Sequence, residues 1–310
     1  SPYISLIKIM FPNAEIIIDK FHLVNLISTS LNKTRINIMK NDKKNYKIDA
    51  ASLHLFCFIV LNMSKLFFII TLISICMSCV NSEIKKFESD VFKTDSGKTV
   101  SITFIKHASL MIDFEGYFIH VDPVNKQDDM RVDYELFPKA NLVLVTHEHY
   151  DHLDNETVEI ISTKETKFFS TENAVNQLGY GNVVEVGDSF DVDGKVKVEV
   201  VPAYNVSPEQ LQFHPKERGD VGYVIDLDGL RIYVAGDTEN IAEMSNLKDI
   251  DIAFLPVNQP YTMKVQQAVD AVLSFEPKVF YPYHYSATNV EEIADKLKDS
   301  NIEVRIRQMQ

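Results

Sequence analysis

From Val100 onward the apolar residues come in short runs broken by turn formers, the rhythm of a chain rich in β-strands. Residues 100–105 and 109–114 predict two strands joined through Lys106, His107 and Ala108. Gly116 then turns the chain into a third strand, 117–121, which ends at Asp122-Pro123. Residues 142–145 predict a buried strand, and 167–170 and 183–186 two more, with a helix at 172–178 between them. In 195–201 lysine alternates with valine, the period-two pattern of a strand with one wet face. Asp228-Gly229 is a tight-turn dipeptide between strands 221–226 and 230–235. Strand 252–255, an amphipathic helix at 265–275, strand 279–281, a helix at 289–298 and an edge strand at 303–306 complete the series. No internal sequence repeat is visible. Strands fall in two halves with helices between them, so an α/β fold packed as a layered sandwich is expected.

One stretch breaks this rhythm. After the apolar run 141–145 comes Thr146-His147-Glu148-His149-Tyr150-Asp151-His152-Leu153-Asp154, and after that 155–161, with the polar start and apolar spacing of a short helix. Four potential metal ligands thus crowd a loop at the carboxyl end of a strand. Imidazole with carboxylate is a donor set for zinc, manganese or iron. Further on, Asp237 follows Gly236 at the end of one strand, and His284 closely follows another. Three separated strand ends therefore present ligand types.

Charge divides the chain. Its net charge is −13, yet residues 1–79 carry nine Lys/Arg against four Asp/Glu, a balance of +5, and the rest carries 22 against 40, or −18. So acidic a body argues against a nucleic-acid footprint, which relies on clustered basic residues. All three cysteines, Cys57, Cys76 and Cys79, lie in the first part. The body has no disulfide and no thiolate ligand, so any metal in it is held by nitrogen and oxygen alone.

The first forty residues resemble an internal piece of a DDE-type insertion-sequence transposase. The strand Glu15-Ile16-Ile17-Ile18 matches one that delivers a catalytic carboxylate, here Asp19, followed by Lys20-Phe21-His22. Such enzymes hold two metal ions with three carboxylates, and a lone Asp19 cannot do that chemistry. Residues 1–62 are therefore read as a transposase-like remnant and not an independent domain. Met63-Ser64-Lys65, the apolar run 66–75 and Cys76-Met77-Ser78-Cys79 follow the order of a bacterial signal peptide. Ser78-Cys79 resembles a lipoprotein cleavage site, with Cys79 as the lipidated amino terminus. The alternative is a transmembrane anchor over 53–80, interrupted by Asn62 and Lys65. Both readings put the body beside a membrane, and with translation from Met63 the implied location is the bacterial cell envelope. Residues 80–97 read as a linker and 98–310 as the folded domain.

Taken with the strand order and Asp122-Pro123, residues 98–310 resemble the metallo-β-lactamase superfamily of metal-dependent hydrolases. Thr146-His147-x-His149-x-Asp151-His152 and Ala235-Gly236-Asp237-Thr238 carry the resemblance. His107-Ala108-Ser109, Gly236-Asp237-Thr238 and Pro282-Tyr283-His284 bring it closest to the branch containing ascorbate-6-phosphate lactonase. The resemblance implies a four-layer αββα sandwich with one or two divalent ions, zinc first and manganese or iron after it. It implies His147 and His149 on one ion, Asp151, His152 and His284 on the other, and Asp237 bridging both. Asp151 would also act catalytically by orienting the attacking hydroxide. Asp122 is expected to hydrogen-bond a ligand histidine from behind, and His107 to line the cleft. One departure stands out: Asn205 occupies the place where the family has a further histidine, leaving Asn205 or the loop residue His214 to contact metal or substrate. Tyr204, Tyr261, Tyr283 and Tyr285 are candidates for an aromatic wall or for core packing.

The expected function is hydrolysis of a small ester, lactone or phosphorylated metabolite, with a small molecule and, through Cys79, a membrane as partners and no nucleic acid. A phosphodiesterase or nuclease on the same fold is the first alternative. A transposase-derived DNA-binding protein, which would retain DNA through residues 1–62, is the alternative of another class. Substrate, metal and oligomeric state are left open by the residues.

Overall fold

The computed structural model describes residues 87–125 and 131–309. The transposase-like stretch with Asp19, the signal segment with Cys76 and Cys79, and residues 80–86 of the linker lie outside the described residues.

Strands β1 (Ser89–Lys93), β2 (Thr99–Lys106), β3 (Ser109–Phe114), β4 (Tyr117–Val121), β5 (Leu142–Leu144), β6 (Lys167–Ser170) and β7 (Asn182–Val183) lie side by side in chain order as one sheet. A second sheet is built the same way from β8 (Ser189–Val192), β9 (Val196–Pro202), β10 (Val221–Leu227), β11 (Leu230–Val234), β12 (Ile252–Pro256), β13 (Val279–Tyr283) and β14 (Glu303–Val304). In each sheet the first four strands are antiparallel and the rest add in parallel. The halves thus share one topology without sharing a sequence pattern. Hairpins join the antiparallel strands, whereas the parallel ones need crossovers. Those crossovers hold α1 (Asn155–Ile161), α2 (Glu172–Leu178) and α3 (Val265–Phe275), and α4 (Glu291–Leu297) precedes β14.

Strand periodicity sorts the side chains into layers. Val100, Ile102, Phe104, Leu110 and Ile112 from the first sheet pack against Val198, Val200, Tyr223, Ile225 and Phe254 from the second. Alternate residues point outward. Ile105, Met111, Val143 and Val145 meet Val158 and Ile161 of α1 and Ala174 of α2. On the other side Val224, Tyr233, Ala253 and Leu255 meet Val269 and Val272 of α3 and Ile293 and Leu297 of α4. The result is the expected helix–sheet–sheet–helix sandwich.

Two strands differ from expectation. β1 lies inside the stretch 80–97 expected as linker, and β8 had no counterpart in the pattern. Both are largely exposed edge strands, Ser-Asp-Val-Phe-Lys and Ser-Phe-Asp-Val, so they lack the apolar runs that mark buried ones. Among the described residues no helix is long and apolar enough to cross a membrane.

The carboxyl ends of β2, β4, β5, β11 and β13 lead into His107, Asp122, the histidine loop, Asp237 and His284. Tyr223 Oη of β10 donates to the carbonyl of Val145 at 2.8 Å, and Val221 N to that of Thr146 at 3.2 Å, which pins the histidine loop to the second sheet. Gly236 is needed here. Its φ is +67°, and a Cβ would stand 2.7 Å from Val221 O and 3.0 Å from Thr146 Cβ.

Candidate metal centre

The loop between β5 and α1 delivers His147, His149, Asp151 and His152 in one short turn. Its exit is fixed by Asp154, whose carboxylate accepts from Glu156 N at 3.2 Å and Thr157 Oγ1 at 2.8 Å and so caps α1. Donor atoms of His147, His149 and His214 lie within 4.8 Å of one another, as do those of His107, Asp151, His152 and His284. Asp237 stands between these two groups. Its Oδ1 is 3.3 Å from His152 Nε2, and its Oδ2 is 3.3 Å from His214 Nε2 and 3.5 Å from His284 Nε2. Asp151 Oδ2 lies 3.2 Å from His107 Nε2 and 3.5 Å from His284 Nε2.

This arrangement fits metal on one telling observation. The Nε2 atoms of His147, His152 and His284 and Oδ1 of Asp237 are buried, yet none makes a hydrogen bond of acceptable geometry. Buried polar atoms are nearly always satisfied, so several orphans converging on one spot mark a place for a cation. Three of the residues nearby also have left-handed backbones that only glycine adopts readily: His107 (φ 51°), Asp122 (φ 44°) and His284 (φ 48°). Their neighbours hold them there. The peptide nitrogen of His107 donates to Met309 O, its carbonyl accepts from His284 N at 3.2 Å, and Asp122 N donates to Leu144 O at 3.0 Å.

Asp122 organises the histidines from behind. Its Oδ1 accepts from Thr146 N and its Oδ2 from Thr146 Oγ1 and His152 Nδ1, each at 2.8 Å. Because the Thr146 hydroxyl spends its proton on Asp122, it accepts from His147 Nδ1 at 3.1 Å. Both rings therefore carry hydrogen on Nδ1 and aim Nε2 inward. Asp220 serves His214 similarly, at 3.1 Å from Nδ1. Arg218 secures Asp220 at 2.9 Å and reaches Glu148 at 2.8 Å, clamping the His214 loop to the histidine turn.

Burial pulls the His214 imidazolium down, but its bonds to Asp220 and Asp237 outweigh that and push its pKa up to about 9. Burial, and then the neighbouring His284, drives His107 the other way, to about 4. Asp237 is raised by burial but pulled well below the carboxylate range by His284 and His152.

The structure separates the two residues the sequence left in competition. His214 enters the group with His147 and His149, whereas Asn205 does not. Asn205 is buried, its Nδ2 donates to Tyr261 O at 2.6 Å and Gln210 O at 3.2 Å, and its backbone nitrogen holds His214 O at 2.7 Å. It shapes the loop that carries His214. Glu239 helps, accepting from Val206 N, Ser207 N and Ser207 Oγ at 2.6–2.7 Å. His107 stands closer to the donors than a cleft-lining residue, packed on His284 with ring centroids 3.7 Å apart. Thr146, Asp220, Arg218 and Glu239 were not foreseen in these roles, and only Thr146, inside the motif, had a sequence signal. Of the four tyrosines, Tyr283 is fully buried and accepts from Gly236 N at 3.0 Å, Tyr204 is bound to Glu243 and Tyr285 to Arg307 O. Only Tyr261 is exposed.

Comparison with known proteins gives the geometry a lineage. The family described as beta-lactamase superfamily domain matches residues 101–284, and a transposase family matches residues 1–57. A UPF0173 metal-dependent hydrolase of Nanoarchaeum equitans is 30% identical over 60% of this chain and 84% of its own length. A solved protein from Parabacteroides distasonis, assigned as a metal-dependent hydrolase without a known substrate class, is 51% identical with a TM-score of 0.70, covering 72% of this chain and all of that one. The metallo hydrolase Igni18 of Ignicoccus hospitalis is 27% identical with a TM-score of 0.56, over 67% and 95%.

Proposed function

The chain belongs to the β-lactamase superfamily as a metal-dependent hydrolase, and from that membership we propose a two-ion centre acting on a small ester, lactone or phosphorylated metabolite. His147, His149 and His214 would hold one ion, and Asp151, His152 and His284 the other, with Asp237 within reach of both groups and His107 positioning Asp151. Zinc is the first choice and manganese or iron the next, since nitrogen and oxygen donors suit all three. The observation that carries the reading is the buried Asp237 carboxylate, ringed by imidazole nitrogens of His152, His214 and His284 from three separate loops.

When bound, such ions polarise a carbonyl or phosphoryl oxygen and acidify a water. The protein's own groups do the rest. Asp122 and Asp220 hold the tautomers of His152 and His214, directly, and Asp122 that of His147 through Thr146. Asp151, on the more open side of the cluster, is the group placed to accept a hydrogen bond from the attacking water and orient it. Neutral His107 holds Asp151 Oδ2 at 3.2 Å, so that carboxylate meets substrate in one orientation.

The test is elemental analysis of the purified full chain with a panel of ester, lactone and phosphate substrates, alongside His152→Ala and Asp237→Ala. Two ions per chain in the parent, and loss of both metal and turnover in the variants, are expected. Less than one ion per chain, or turnover surviving both substitutions, overturns the proposal.

The order of residues 63–79 supports a second element of the reading: attachment to the bacterial cell envelope through lipidated Cys79. Incorporation of labelled palmitate that disappears in Cys79→Ser is the expected result, and an unlabelled parent protein overturns it.

A further inference from the structure

We infer that the substrate of this centre is an uncharged ester, lactone or amide whose apolar group rests on Tyr150, Phe213 and Tyr261. The inference rests on the hydrolase reading above and narrows it, setting the phosphorylated metabolite aside. Single exposed apolar residues mean little on a protein surface. Here two aromatic residues adjoin proposed ligands in the chain, Tyr150 and Phe213, and a third from another loop, Tyr261, packs on Phe213. Tyr150 lies between His149 and Asp151 and is 74% exposed, although its neighbours along the turn are buried or half-buried. Phe213 precedes His214, and its ring meets that of Tyr261 edge-on, with centroids 4.9 Å apart at 71°. Tyr261 is 44% exposed, and its carbonyl is anchored by the buried amide of Asn205. Val206 and Leu211 are also exposed on the His214 loop.

Charge points the same way. A phosphate or carboxylate on the substrate would call for a cation at the mouth. Among the described residues, the cations of these loops are already engaged. Lys216 pairs with Glu243 at 3.0 Å and sits 4.5 Å from the centre of the Tyr204 ring, Arg218 pairs with Glu148 and Asp220, and Lys264 faces Glu209 at 3.9 Å. Ions in the centre would still take one phosphoryl oxygen, but among the described residues of these three loops every cation already faces a carboxylate. Asn205 thus has a use that explains its place in the chain: its amide builds the aromatic edge.

The reaction is a plain hydrolysis. The water oxygen bonds to the acyl carbon, the bond from that carbon to oxygen or nitrogen breaks, and a water proton goes to the departing alcohol or amine.

The experiment follows proton release from methyl acetate, methyl phenylacetate and phenyl phosphate with zinc-loaded full-length protein, its Phe213→Ala and Tyr261→Ala variants, and a His152→Ala control. Methyl phenylacetate is expected to exceed methyl acetate in kcat/KM by about tenfold or more. In both variants that ratio should fall toward one, mainly through KM. A parent ratio near one, a ratio unmoved by both substitutions, or a preference for phenyl phosphate overturns the inference while leaving the hydrolase reading intact. Absence of zinc-dependent turnover with all three probes removes both.

Discussion

Asp122 touches no ion in the proposed centre, yet it decides the proton positions of two residues that would. Its carboxylate fixes His152 directly and His147 through the Thr146 hydroxyl. Asp122→Asn keeps the shape but offers an amide nitrogen that competes with both donors. Partners of this kind are worth tenfold to a hundredfold in affinity, so the variant should bind zinc about 10–100-fold more weakly, read by competition with a chromophoric chelator. His214 makes a different demand. With its pKa raised to about 9 by Asp220 and Asp237, it is protonated at neutral pH in the metal-free protein, and an ion must displace that proton. Apparent affinity at the His147, His149 and His214 group should therefore fall by about tenfold for each pH unit below 9. Asp220→Asn removes one of the raised state's supports and should flatten the dependence between pH 7 and 9 in the same titration.

At the scale of elements, the donors sit where strands stop, and the stops were readable to different degrees. The histidine turn was legible because its four donor side chains fall within six residues, bracketed by a buried strand and a capped helix. Asp237 was legible from the glycine before it. That glycine is under tight constraint: Gly236→Ala forces a side chain into a left-handed residue and against Val221 O and Thr146. A loss of about 2–4 kcal/mol is expected, seen as a lower urea midpoint, together with weaker metal binding because Asp237 moves. His214 stayed ambiguous in the sequence because its reach depends on a loop folded by long-range bonds. Asn205 holds the His214 carbonyl and Glu239 the Val206 and Ser207 amides, and neither partnership has a local pattern. The contact of His107 with Asp151 and His284 was not legible for a related reason: His107 has a positive φ at a strand end, and composition does not announce it. Edge strands β1 and β8 escaped because exposure on an edge removes the apolar signal that betrays an inner strand.

At the scale of the molecule, two sheets of like topology are strapped together across their seam. Asp90 of β1 accepts from Tyr281 Oη of β13, from Arg307 Nη2 at 2.7 Å and from Arg305 Nη1 at 3.2 Å, and two residues beyond Arg307 the chain reaches Met309, whose carbonyl holds His107. Burial raises the Asp90 pKa, but the bonds from Tyr281 and Arg307 outweigh it and the net shift is downward. A carboxylate lowered on folding stabilises the native state above its unfolded value near 3.8, and that contribution disappears as pH falls through the lower folded value. Asp90→Asn should then cost about 1 kcal/mol near pH 7 after solvent screening. The gap between variant and parent should close when urea unfolding is repeated in progressively more acidic buffer below pH 4.

The twin construction of the sheets carries a consequence for how the centre comes into being. The connection 184–188 between β7 and β8 is the sole covalent link from one half to the other. His107, Asp122, His147, His149, Asp151 and His152 lie before it, and His214, Asp237 and His284 after it. Each half brings an incomplete set of donors, so a chain nicked at that connection has every reason to stay associated once ions are captured. Metal would then rivet two pieces that no peptide bond joins.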